Sequence, residues 1–98
     1  MTIKKTENGS ELIIALEGRL DTTTSPTLEV ELKESLDNVT ALTIDFSELE
    51  YISSAGLRVL LLAQKVMNKQ GKMVIRNVNE TILEVFEVTG FTDILTIE

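Results

Sequence analysis

The residues with most chemical scope in this chain are consecutive: Ser53, Ser54, Ala55 and Gly56. A β-prone run, Thr43 to Phe46, lies upstream of them. Ser47 to Tyr51 reads as a polar loop with two apolar anchors, Leu49 and Tyr51, and Ile52 leads into the serines. Leu57 to Met67 follows, apolar and rich in helix formers. A strand that feeds a helix through small hydroxyl residues places those hydroxyls at the helix N-terminus. The unpaired N–H groups and positive partial charge there tolerate an anion. A serine in such a place can be a helix cap, a phosphate ligand, a nucleophile or a phosphorylation site.

Composition narrows these four. A serine nucleophile needs a base, and the chain has no histidine. The Ser-x-x-Lys spacing and the Gly-x-x-x-x-Gly-Lys-Ser/Thr phosphate loop are both missing. No carboxylate pair stands apart from an acidic surface. We therefore expect no catalytic residue and no enzyme. With neither cysteine nor histidine, thiolate and imidazole metal ligands are excluded, and no metal or cofactor is expected. A net charge of -7 should repel nucleic acid and anionic membrane surfaces. The N-terminus lacks a signal peptide's apolar core, and apolar runs such as Val59 to Ala63 are far too short to span a bilayer. These features predict a soluble cytoplasmic protein.

The elements that must position the serines follow from patterning. With 98 residues and 43% apolar content, one domain covering residues 1–98 is expected. Thr2 to Thr6 and Glu11 to Glu17 read as strands joined by an Asn8-Gly9 turn. Leu12 to Leu16 is continuously apolar, as for a strand covered on both faces. Gly18 should end that strand, leaving Arg19 to Asp21 in a loop. Ser25-Pro26 reads as a cap and first residue of a helix with Leu28, Leu32, Ser35 and Leu36 on one face. Lys72 to Arg76 is a short strand after a Gly71 helix end. Asn79 should cap a helix over Glu80 to Val88, closed by Thr89-Gly90 with Phe91 tucked back. Ile94 to Ile97 is a last strand candidate. After the hairpin, strands and helices alternate, which predicts an α/β domain with a mostly parallel sheet and crossover helices.

At about 100° per residue, Val59, Leu62, Ala63 and Val66 share an arc of the second helix that should face the sheet. Arg58, Gln64, Lys65, Asn68 and Lys69 lie opposite. Leu57 and Leu61 fall inside that polar arc, near the serines. An exposed apolar pair beside a modifiable hydroxyl predicts a protein-binding surface.

Asp45-Phe46-Ser47 with Tyr51-Ile52-Ser53-Ser54-Ala55-Gly56-Leu57 resembles the signature of STAS domains, above all the bacterial anti-sigma factor antagonists. Gly18-Arg19-Leu20-Asp21, Gly71 to Arg76 and the Phe86 to Phe91 ending are similar to that family in the same order. The resemblance implies the STAS fold and a regulator that binds an anti-sigma factor, a serine kinase of the histidine-kinase-like ATPase group. Phosphorylation of a serine would switch the antagonist off, and a metal-dependent phosphatase would restore it. The acceptor position of the motif falls on Ser54. Ser53 stands where the family usually has aspartate, and is a rival acceptor. Ala55 stands where a second hydroxyl often lies. Asp21 matches a loop aspartate implied to lie beside the acceptor and contact the kinase. The expected partner surface is Asp21, Ser53, Ser54, Gly56, Leu57, Arg58 and Leu61.

Two other functions fit the same residues. One is a constitutive STAS adaptor subunit of a transport or signalling complex, with Ser54 only a cap. The other is a small-ligand or nucleotide module at the anion-tolerant helix end, with Arg19 and Arg58 as its nearby cations.

Overall fold

The computed structural model describes residues 1–98. Its elements are β1 (Thr2–Asn8), β2 (Glu11–Leu20), α1 (Ser25–Ser35), β3 (Ala41–Ile52), α2 (Ser54–Gln70), β4 (Lys72–Arg76), α3 (Glu80–Thr89) and a 3-10 turn over Phe91–Asp93. The four strands form one sheet in the order β1-β2-β3-β4. β1 and β2 are antiparallel, and β2-β3 and β3-β4 are parallel. The expected alternation, its hairpin and its crossover helices are therefore present, and β4 has the predicted bounds.

The sheet is covered on one face. Leu12, Ile14 and Leu16 of β2, Leu42, Ile44 and Phe46 of β3, and Met73 and Ile75 of β4 are buried. They form a single core of 23 residues with Leu28 and Leu32 of α1, the inner side of α2, and Ile82 and Phe86 of α3. Phe86 packs at a tilt against Phe46 and stacks on Phe91, so Phe91 does tuck back. Ile13 is 40% exposed, which corrects the two-faced cover expected for β2. Successive strand residues point to opposite faces, and no helix is left over to cover the second.

Several boundaries differ from the sequence reading. β2 does not stop at Gly18, which takes a φ of +103° within the strand, and continues to Leu20. β3 likewise runs through the polar stretch Ser47 to Tyr51. Glu48, Leu49 and Tyr51 pair with Glu17, Gly18 and Arg19 across two register shifts, and Leu49 and Ile52 anchor the strand in the core. Thr24, not Ser25, is the N-cap of α1, and Ser25 is buried with its hydroxyl donating to the Asp21 carbonyl. The last strand reduces to one bridge, Ile75 to Ile97. The 3-10 turn and the helical conformation of Ile94 use up the residues that would have extended it. No helix is long and apolar enough to cross a membrane.

Candidate functional site

β2 and β3 are neighbouring parallel strands that end together. Arg19 pairs with Tyr51 and Leu20 with Ile52, and the Ser53 N–H donates to the Leu20 carbonyl at 2.9 Å. Asp21 and the serine pair, 32 residues apart in the chain, thus leave the sheet side by side. Ligand and partner sites favour this carboxyl edge of parallel strands.

Asp21 is held in a tight turn. Its Oδ1 accepts from the Thr23 N–H at 3.0 Å and the Thr24 N–H at 3.1 Å. Thr24 Oγ1 donates to the Arg19 carbonyl at 2.7 Å and accepts from the Asp21 N–H at 2.9 Å. The Thr24 N–H, aided by the Thr24 hydroxyl, the Thr23 N–H and the Arg19 charge, keeps the carboxyl below the usual aspartate range. Arg19 lies 3.9 Å from Asp21 Oδ2 and sits over the Tyr51 ring at 4.2 Å. The result is a fixed, ionised carboxylate at the rim of the site.

The two serines occupy different environments. Ser53 is the N-cap residue of α2, with extended backbone, but its side chain makes no capping bond. Its Oγ is buried and has no partner. Ser54 is the first residue of the helix and is exposed. A donor approaching from solvent reaches Ser54 and not Ser53. Neither serine caps α2 through its side chain in the usual way, which the sequence alone does not reveal.

Gly56 sets how close α2 comes to the strand ends. A Cβ there would lie 2.8 Å from both Ile52 Cγ1 and Leu20 Cγ. The first turn of α2 therefore rests directly on the ends of β2 and β3. This seating also rotates the helix relative to the arc read from the sequence. Leu57 is only 6% exposed, and Leu60, Ala63, Gln64 and Met67 line up with it on the inner side. The expected exposed Leu57–Leu61 pair is thus not formed: Leu57 is core, and Leu61 is half-buried. Leu62 and Val66, expected to face the sheet, are 37% and 41% exposed instead. They line a groove of about 420 Å³ between α1 and α2, with Leu32, Leu36 and Val59. Of the expected partner surface, Asp21, Ser53, Ser54, Arg58 and Leu61 have some exposure, whereas Gly56 and Leu57 support it from below.

Arg58 projects one turn beyond Ser54, its side chain 70% exposed, with Nη2 at 3.4 Å from Glu29 Oε1 of α1. Glu29 is shared with Lys33 at 3.0 Å, and Lys33 is the main cause of its lowered pKa. No group of histidine, cysteine or carboxylate side chains is arranged to hold a metal.

This arrangement has known counterparts. The STAS domain family pattern matches residues 2–98. The chain is a STAS domain. It is 38% identical over 88 residues to BtrV of Bordetella bronchiseptica, covering 88% of this chain and 76% of that protein. The anti-sigma-B factor antagonist of Bacillus subtilis is 30% identical over 96 residues, covering 97% of this chain and 86% of that one. Among solved structures, an anti-sigma factor antagonist from Mycobacterium paratuberculosis superposes with a TM-score of 0.88 at 22% identity, covering 98% of this chain and 83% of that one. This STAS domain belongs with the bacterial anti-sigma factor antagonists.

Proposed function

We propose that this STAS domain binds an anti-sigma factor of the histidine-kinase-like ATPase group, and that phosphorylation of Ser54 switches the binding off. The observation that carries this reading is the contrast between the serines. Ser54 is exposed at the first residue of α2, at the strand edge that also carries the Asp21 turn, while the Ser53 hydroxyl is enclosed. The kinase would move the γ-phosphoryl group of ATP onto Ser54 Oγ as the hydroxyl proton leaves. A metal-dependent phosphatase would return the serine by hydrolysis. Binding would release the sigma factor, so the protein would promote transcription while unphosphorylated, acting in the cytoplasm.

The switch works by local charge. A phosphate adds about -1.5 to -2 charges. The free N–H groups at the start of α2 accommodate it, so the fold stays as it is. The cost falls on the partner, whose closely packed surface would have to desolvate a bulky, net negative phosphate on the Asp21 side of the site. An unpaired charge at an interface costs several kcal/mol, or roughly two or more decades in affinity.

The test is a pull-down from native lysate with wild type and Ser54→Asp as paired baits. The reading expects wild type to retain a histidine-kinase-like ATPase and the aspartate form to lose it. If both retain the same transporter or scaffold subunits, the protein is a constitutive adaptor and the switch is wrong.

A further inference from the structure

Arg58 is a cation in an uneconomical place. It is the sole charged residue between Ser54 and Gln64 on α2, and it lies toward the helix end that already carries positive partial charge. Residues four apart on a helix are surface neighbours, with Cβ atoms about 5–6 Å apart, so Arg58 stands directly behind Ser54. Its present partner is loosely held. Glu29 is 3.4 Å from Arg58 but 3.0 Å from Lys33, so Arg58 can leave without stranding the carboxylate. Arg19, the other cation at this end, is poorly placed to compete. Its Nε lies 3.9 Å from Asp21 Oδ2 and its guanidinium covers the Tyr51 ring, so it is already engaged.

We propose that Arg58 is the counter-ion of the phosphate on Ser54, exchanged from Glu29 when the serine is modified. This rests on the reading of Ser54 as a phosphorylated residue. In the unmodified protein the Arg58–Glu29 pair links α2 to α1. In the phosphorylated protein Arg58 turns along its own helix to a guanidinium–phosphate pair, the stronger partner of the two. The modification is then felt in α1 as well as at the strand ends, because the ionic tie between the helices is released. Glu29 also lines the α1–α2 groove.

The test uses phosphoserine installed at position 54 during synthesis, so it does not depend on any kinase. The phosphate is titrated by 31P NMR in wild type, Arg58→Gln, Glu29→Gln and the double variant. A free phosphoserine titrates near pH 6, and a neighbouring cation favours the dianion and lowers that midpoint. Arg58→Gln should raise the midpoint above wild type by about 0.3 pH unit, the size of an i,i+4 ion pair. Glu29→Gln should lower it by freeing Arg58, and this lowering should shrink in the double variant. Arg58 is exposed and Glu29 is partly buried, and amide spectra confirm that each variant is folded. Equal midpoints in wild type and Arg58→Gln overturn the pairing. A Glu29→Gln effect that is absent, or undiminished without Arg58, overturns the exchange. Either result leaves the kinase reading untouched, and loss of that reading in the pull-down leaves this titration unchanged.

Discussion

At its C-terminal end α2 is tied to everything around it; at its N-terminal end it is left with unused bonding capacity. Gln70 Nε2 donates to the carbonyls of Leu36 and Val39, both at 2.7 Å, and so closes the loop between α1 and β3. Gly71 packs so closely on the Thr40 backbone that a Cβ would collide with the Thr40 carbonyl oxygen. That carbonyl accepts from the Lys72 N–H at 3.0 Å, and the Thr40 N–H donates to the Ser10 carbonyl at 2.9 Å. The hairpin turn and the starts of β3 and β4 are thereby laced into one block. At the other end Ser53 Oγ is buried without a partner and Ser54 is open to solvent. Proteins that satisfy local rules in one place and break them in another tend to break them where they work. The contrast marks the Gly71 end as frame and the Ser54 end as the candidate site.

The largest expected effect breaks the frame. Gly71→Ala drives a Cβ into backbone that has no room to yield, and should cost about 3 kcal/mol or more in urea unfolding. Gly56→Ala meets side chains of Ile52 and Leu20 that can shift, so about 1–3 kcal/mol is expected. Its sharper signature is an altered start of α2, seen as amide shifts at Ser53 to Arg58. A Gly71→Ala protein as stable as wild type would erase the distinction between the two ends.

Two helix caps sharpen the same comparison. Asn79 accepts from the Ile82 N–H at 2.8 Å and donates to the Leu49 carbonyl at 3.1 Å. Asn79→Ala should therefore cost about 1–2 kcal/mol. Ser53 stands at the equivalent position of α2 but bonds nothing, so Ser53→Ala should change stability by about 0.5 kcal/mol or less, in either direction. Equal costs in the two variants would mean that Ser53 caps after all.

Asp45 gives a pH handle on the frame. Its Oδ1 accepts from Asn77 Nδ2 at 3.0 Å and from the Ser47 N–H at 2.9 Å. The Asn77 bond is the main cause that lowers its pKa from 3.8. A carboxylate depressed in the folded state adds stability above its unfolded pKa and loses it as pH falls through the folded one. Asp45→Asn should thus be less stable than wild type at neutral pH, with the gap closing below about pH 4. A gap that does not change with pH would assign the effect to packing instead.

The sequence made the order of elements legible because the signals were local. Gly9 in the hairpin turn (one residue later than the Asn8-Gly9 turn expected, since Asn8 pairs with Glu11), the Asn79 cap, Gly90 and the KMVIR strand each act on their own neighbourhood. The placement of Asp21 and Ser54 at one edge of the sheet was legible too, since both follow strand ends. The orientation of α2 was not. Val59 to Ala63 is apolar all round, so periodicity could not choose its inner side, and the Gly56 contact with Leu20 and Ile52 decided it. The length of β3 was hidden for a related reason. Ser47 to Glu50 look like loop residues, and β3 takes up the extra ones as bulges while Glu48 and Leu49 stay paired with Glu17 and Gly18. The buried state of the Ser53 hydroxyl has no sequence signal at all.

The most direct measurement of the central claim is phosphosite mapping by tandem mass spectrometry. Wild type, Ser53→Ala and Ser54→Ala are each incubated with the captured kinase and ATP. The account predicts one phosphate on wild type and on Ser53→Ala, both at position 54, and none on Ser54→Ala. A phosphate that persists on Ser54→Ala and disappears from Ser53→Ala, or no transfer to wild type, would contradict it.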